Sequence, residues 1–127
     1  MDRRTVLTDR APAPIGPYSQ AVLADGWLFC SGQIALDPAS GQMVAGDVRA
    51  QADRVLRNLQ GVVEAAGGTL RNVVKTTIYL KSIDDFPAVN AVYATFFPAD
   101  PPARSTVQAA RLPKDALVEI EAVARLA

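Results

Sequence analysis

The chemistry open to this chain centres on one arginine. Arg104 lies in the run Pro101-Pro102-Ala103-Arg104-Ser105-Thr106-Val107-Gln108. Two prolines fix φ and remove two backbone donors, so the run begins as a stiff turn before it becomes β-reading. The Arg104 guanidinium is a permanently charged, planar fork of donors that matches a carboxylate. In a cleft it selects a small anion, whereas at an exposed strand end it only solvates the surface. Glu119 and Glu121 share one face of a predicted strand over 117–124. Near Arg104 they would form structural ion pairs, or a site where arginine grips a ligand carboxylate and a glutamate handles a water proton. Partial burial raises a glutamate pKa toward the range useful for general acid–base work.

Other residues could join such a site. Tyr18 ends the segment Ala11-Pro12-Ala13-Pro14-Ile15-Gly16-Pro17, which three prolines and a glycine hold extended. It is either a plain linker or a stiff arm that holds a phenol over a ligand. Cys30-Ser31-Gly32-Gln33 follows the apolar Trp27-Leu28-Phe29. A glycine there suggests a bulge or a close backbone approach, which would offer N–H groups and the Ser31 hydroxyl to a ligand. A strand ending in small residues is the equal alternative. Asn90 lies among aromatic residues on a helix face, where an amide most often hydrogen-bonds to local backbone.

Composition closes off other chemistry. The 127 residues, half of them hydrophobic, suit one domain over 1–127. Thirteen basic and thirteen acidic residues cancel, which argues against the basic face of a nucleic-acid binder. The chain contains no histidine, so Ser/His and Cys/His nucleophile pairs are excluded. The single cysteine, Cys30, cannot supply a zinc or iron site, and no metal is expected. It has no intrachain disulfide partner, so a reducing, cytoplasmic setting suits it. No secretory signal and no membrane-spanning run are read.

These residues need a scaffold. Short strands are predicted at Thr5–Leu7, Ser19–Ala24 and Trp27–Ser31, the last two around an Asp25-Gly26 turn. Ile34–Leu36 and Gln42–Val44 would flank a loop. The strongest signal is a helix from Asp47 to Ala66, with Asp47 as cap and Gly67-Gly68 as stop. A strand follows over Val73–Lys81, with Val74, Thr76, Ile78 and Leu80 on one side. A second helix runs from Ile83 to Phe97, with Asp84 as its cap and Phe86, Val89, Tyr93, Phe96 and Phe97 buried. Strands at Arg104–Ala109 and Leu117–Ala124 complete an α+β sandwich. Its mixed, roughly six-stranded sheet has both helices on one face. The other face, with Thr77, Tyr79, Leu117, Glu119, Glu121 and Val123, stays uncovered and suggests a cyclic homo-oligomer.

Several spaced motifs resemble one family from about residue 10 to the C-terminus. They are Gly16-Pro17-Tyr18-Ser19-Gln20, Ser31-Gly32-Gln33-Ile34, Val74-Lys75-Thr76-Thr77, Phe86 with Val89-Asn90, Pro102-Ala103-Arg104-Ser105, Arg111-Leu112-Pro113-Lys114-Asp115 and Glu119-Ile120-Glu121-Ala122. The chain is similar to the RidA (YjgF, L-PSP) family of reactive intermediate deaminases. That resemblance implies a chorismate-mutase-like fold and a barrel-cored homotrimer with active sites between subunits. It implies cofactor-independent hydrolysis of small imino and enamino acids, such as 2-aminoacrylate and 2-iminopropionate, to keto acids and ammonia. By position, Arg104 would bind the substrate carboxylate and Glu119 would activate water. Tyr18 and Ser31 would line the pocket, and Gly32 and Asn90 would shape it. Thr106 stands where many members carry cysteine, which bears on substrate preference. Non-catalytic carboxylate-binding or chaperone-like roles, and ribonuclease or translation-inhibitor roles, are the alternatives that the family offers.

Overall fold

The computed structural model describes residues 2–126. Six strands form one sheet: β1 (Arg3–Val6), β2 (Ala21–Ala24), β3 (Trp27–Gln33), β4 (Val73–Leu80), β5 (Ala103–Gln108) and β6 (Val118–Arg125). Two helices, α1 (Val48–Ala65) and α2 (Phe86–Phe96), separate them in the chain. The strand order is β1-β2-β3-β6-β4-β5. Every pairing is antiparallel except β4 with β5. That pair is joined through α2, as a parallel pair requires a long crossover.

The α1 helix forms where apolar residues recur at helical spacing. Asp47 caps it by accepting hydrogen bonds from the N–H groups of Arg49 and Ala50. Gly67, at φ 101°, lets the chain turn away after Ala66. Val55, Leu56, Leu59, Val62 and Val63 are buried against Ile78, Leu80, Val118 and Ile120 of the sheet. Each such side chain contributes about 1.5–3 kcal/mol through burial, so packing rather than propensity holds the helix.

The second helix departs from its predicted form. Ile83–Asp85 makes a separate 3-10 turn capped by Ser82, and α2 begins at Phe86. Pro87 explains the break, because it withholds a donor and is accommodated in a first turn. Ile34–Leu36 and Gln42–Val44 form no strand pair beyond one bridge between Leu36 and Met43. Val74 does not share a side with Thr76, Ile78 and Leu80. A register shift between Val73 and Lys75 turns it outward, and it is exposed.

Both helices lie on one side of the sheet. On the other, Trp27 and Phe29 of β3, Val107 of β5 and Glu121 of β6 remain exposed, and the half-buried Tyr79 donates its hydroxyl to Glu121 at 3.0 Å. Leu117, expected on this face, precedes β6 and packs against the core instead. None of the described residues covers this face. No helix among them is long and apolar enough to cross a membrane.

Candidate active site

The first half of the site is built on a bulge in β3. Cys30 pairs with Ala122 and Gln33 with Ile120, so Ser31 and Gly32 together face one residue of β6. The kink predicted from the glycine is present, and Glu119 uses the space. A Cβ at Gly32 would collide with Glu119 Oε2 and lie 3.0 Å from its Cδ. The carboxylate therefore lies across the bare backbone of Gly32. Burial, then the nearby Glu121 charge, raises its pKa above the usual carboxylate value.

The wall facing Glu119 is the proline-rich segment, which Gln20 fixes in place. Gln20 is buried and accepts from the N–H of Thr8 at 2.7 Å. Its amide donates to the carbonyls of Thr8, Ala11 and Pro12. Tyr18 stands at the end of this fixed segment, half exposed. The cleft so formed has a volume of about 470 Å³, and its lining includes Ile15, Tyr18, Ser31, Gly32, Lys114 and Glu119.

Ser31 is less available than its position suggested. Its N–H donates to the Gln20 carbonyl at 3.0 Å, and its hydroxyl donates to the Ser19 carbonyl at 2.6 Å. Only the hydroxyl lone pairs remain, so Ser31 faces a ligand as an acceptor.

The second half of the site centres on Arg104. In the β4–β5 ladder Arg104 pairs with Thr76, whose hydroxyl is 2.7 Å from the Tyr93 hydroxyl on α2. The guanidinium carbon lies 4.9 Å from the Tyr93 ring centroid and 5.2 Å from that of Phe86. Two aromatic faces thus hold the cation through its plane, leaving its edge donors free. Burial raises the Tyr93 pKa, partly offset by the Thr76 hydrogen bond and the Arg104 charge, so the phenol stays neutral. A cleft of about 450 Å³ is lined by Asn90, Tyr93, Phe97, Pro102 and Arg104.

Two polar atoms near this arginine are buried without a partner: Asn90 Oδ1 and Thr106 Oγ1. Asn90 therefore does not spend its carbonyl oxygen on local backbone, contrary to the expectation from residue type. Buried polar atoms are nearly always hydrogen-bonded, and these two oxygens are exceptions within the chain.

The two halves do not meet within one chain. Thr76 and Arg104 face the helices, whereas Glu119 pairs with Tyr79 on the open side. Arg104 and Glu119 thus project from opposite faces of the sheet into different clefts. Among the described residues neither has an ion-pair partner. No cluster of His, Cys, Asp or Glu among them is arranged to hold a metal. Residue types alone missed the Gln20 clamp and the aromatic floor as parts of the site. A glutamine between a proline-rich segment and an apolar strand was the available signal for the clamp.

The six-stranded mixed sheet with two helices on one face defines the class: this is the chorismate-mutase-like RidA fold. The family model described as Endoribonuclease L-PSP matches residues 8–126. The 2-iminobutanoate/2-iminopropanoate deaminase of Homo sapiens is 50% identical over 122 residues, which cover 96% of this chain and 89% of that protein. The crystal structure of the E. coli YjgF gene product matches with a TM-score of 0.92 at 48% identity, covering 96% of this chain and 98% of that one. That of E. coli TdcF with bound serine matches with a TM-score of 0.93 at 42% identity, covering 98% and 99%. The chain belongs to the Endoribonuclease L-PSP family, the RidA or YjgF family that its motifs resemble.

Proposed function

We propose that this protein hydrolyses reactive 2-imino and 2-enamino acids to 2-keto acids and ammonia. The observation that carries the reading is the Glu119 carboxylate, held across Gly32 in an open cleft, unpaired and with a raised pKa. The relatives named imine deaminases at about half identity support it, as does the serine-bound TdcF, since serine carries the same carboxylate. The uncovered sheet face supports a homotrimer, with the Arg104 half-site of one chain set against the Glu119 half-site of its neighbour, and the free Cys30 suits a reducing, cytoplasmic setting.

In that arrangement Arg104 takes the substrate carboxylate through two parallel hydrogen bonds. The C=N carbon then lies beside a water at Glu119. The water oxygen bonds to that carbon while Glu119 takes its proton, giving a tetrahedral carbinolamine. Glu119 returns the proton to nitrogen; the C–N bond then breaks as the carbinolamine hydroxyl gives its proton to Glu119 and the C=O bond forms, so ammonia leaves and the keto acid remains. A protonated imine is electrophilic already, so no covalent nucleophile, metal or cofactor is required. Thr106 and Asn90 offer their unpartnered oxygens to substrate or water beside Arg104.

The test is a trapping assay. An amino-acid oxidase generates 2-iminopropionate from alanine, and semicarbazide captures what escapes hydrolysis. Wild type lowers the trapped imine, and Arg104→Ala and Glu119→Ala fail while keeping the assembly. Binding of small carboxylates without loss of imine would overturn the catalytic reading in favour of a binding protein.

A further inference from the structure

The turn that closes the Glu119 cleft is strained. Lys114 and Asp115 have φ of 54° and 55°, and neither is glycine. Left-handed backbone is strained for such residues, and it persists only where the surroundings over-determine it. Here they do. Leu112 and Ala116 on either side are buried. The Asp115 carboxylate meets Lys81 at 3.0 Å, and the N–H of Leu117 donates to Gln51 Oε1 at 2.9 Å. The product of this fixed turn is the placement of Lys114 on the cleft wall.

Among the described residues Glu119 and Lys114 are the two charged side chains of that lining. The rest of the wall is mainly apolar, with Pro12, Ala13, Ile15, Ile34 and Leu36. Lys114 has no ion-pair partner among the described residues. Its charge is therefore not spent on holding the turn.

The reading that follows rests on the hydrolysis proposed above. The C=N carbon of an imino acid carries three groups. Arg104 holds the carboxylate and the nitrogen becomes the leaving group, so the side chain is left to run along the Glu119 cleft. We propose that Lys114 is a specificity-determining residue that binds a carboxylate on that side chain. The substrate class then includes imines of acidic amino acids, 2-iminoglutarate and 2-iminosuccinate, hydrolysed to the corresponding keto diacids and ammonia.

The test compares 2-iminoglutarate with 2-iminopropionate, each generated by an amino-acid oxidase, in the trapping assay. Lys114 is exposed, so the loss expected is that of a solvent-screened pair. Lys114→Met lowers the ratio of kcat/KM for 2-iminoglutarate to that for 2-iminopropionate about fivefold, through KM, and Lys114→Arg restores it. Lys114→Gly separates site from scaffold, because glycine relieves the positive φ: its melting temperature rises while the ratio falls. An unchanged ratio in Lys114→Met overturns the assignment. So does an equal loss on both substrates, which would place Lys114 on the shared carboxylate or in the turn alone. If wild type hydrolyses neither imine, the proposed function fails and this inference fails with it. Normal hydrolysis of 2-iminopropionate with an indifferent Lys114 sinks only the second.

Discussion

Gly32→Ala isolates the geometry of Glu119 from its chemistry. Gly32 lies outside the left-handed region, so alanine can adopt its backbone without strain. The added methyl collides with Glu119 Oε2 and would sit 3.0 Å from Cδ and 3.1 Å from Cγ. Carbon atoms pack comfortably at about 3.5–4.0 Å, so the carboxyl end must swing by roughly an ångström. Glu119 is half-buried at the edge of a cleft and has room to move, which keeps the stability change within about 1 kcal/mol. Catalysis is far less tolerant, since a misplacement of about 1 Å costs on the order of 10²-fold in rate. The trapping assay should show kcat/KM down by about that factor, with melting temperature and assembly unchanged. A Gly32→Ala protein that keeps its rate within about twofold would refute the claim that the carboxylate is held where the water must be.

Other perturbations read different parts of the structure. The ionised form of Glu119 is the base, so kcat/KM falls as pH drops through its raised pKa, and the acid limb lies above the ordinary glutamate value; Glu121→Gln moves that limb to lower pH but leaves the part due to burial. A carboxyl raised in the folded state favours folding below the unfolded pKa, and that contribution is lost as pH rises. Glu119→Gln should therefore melt higher than wild type at neutral pH while losing turnover, as thermal unfolding and the trapping assay will report. Gln20→Leu keeps the volume but leaves the Thr8 N–H and three carbonyls without their amide; about 2–4 kcal/mol of stability is lost in denaturant titration, and KM rises as the Tyr18 segment loosens. Burial pushes the Cys30 thiol to about 12, so a maleimide at pH 8 labels it only after denaturation.

Much of the scaffold is legible in residue order because its signals are local. The α1 boundaries, with Asp47 and Gly67 at the ends, follow from periodicity and capping chemistry. The alternation of Val118, Ile120, Ala122 and Ala124 against Glu119, Glu121 and Val123 is the observed register of β6. The Gly32 bulge is legible only as one of two equal readings, since a glycine near a strand end serves a bulge or a plain ending in small residues. The Val74 bulge is not, because nothing in a β-branched run marks where one residue drops out of the ladder. The site divides in the same way. Arg104 and Glu119 stand out by type, but that they occupy opposite faces depends on pairing β5 in parallel beside β4, a long-range event. The Asn90 and Thr106 oxygens illustrate the same limit: residue type names the donor or acceptor, and only the surrounding packing decides whether it finds a mate.

The placement of Arg104 and Glu119 on opposite faces of one sheet has a bearing on how the protein would behave in a cell. A substrate that touches both in the proposed assembly is a cross-link between chains, so ligand occupancy and subunit association become one equilibrium. Rising imine load would then tighten the complex that removes it. On dilution, activity would fall more steeply than protein concentration, because each lost contact between chains also dismantles a site.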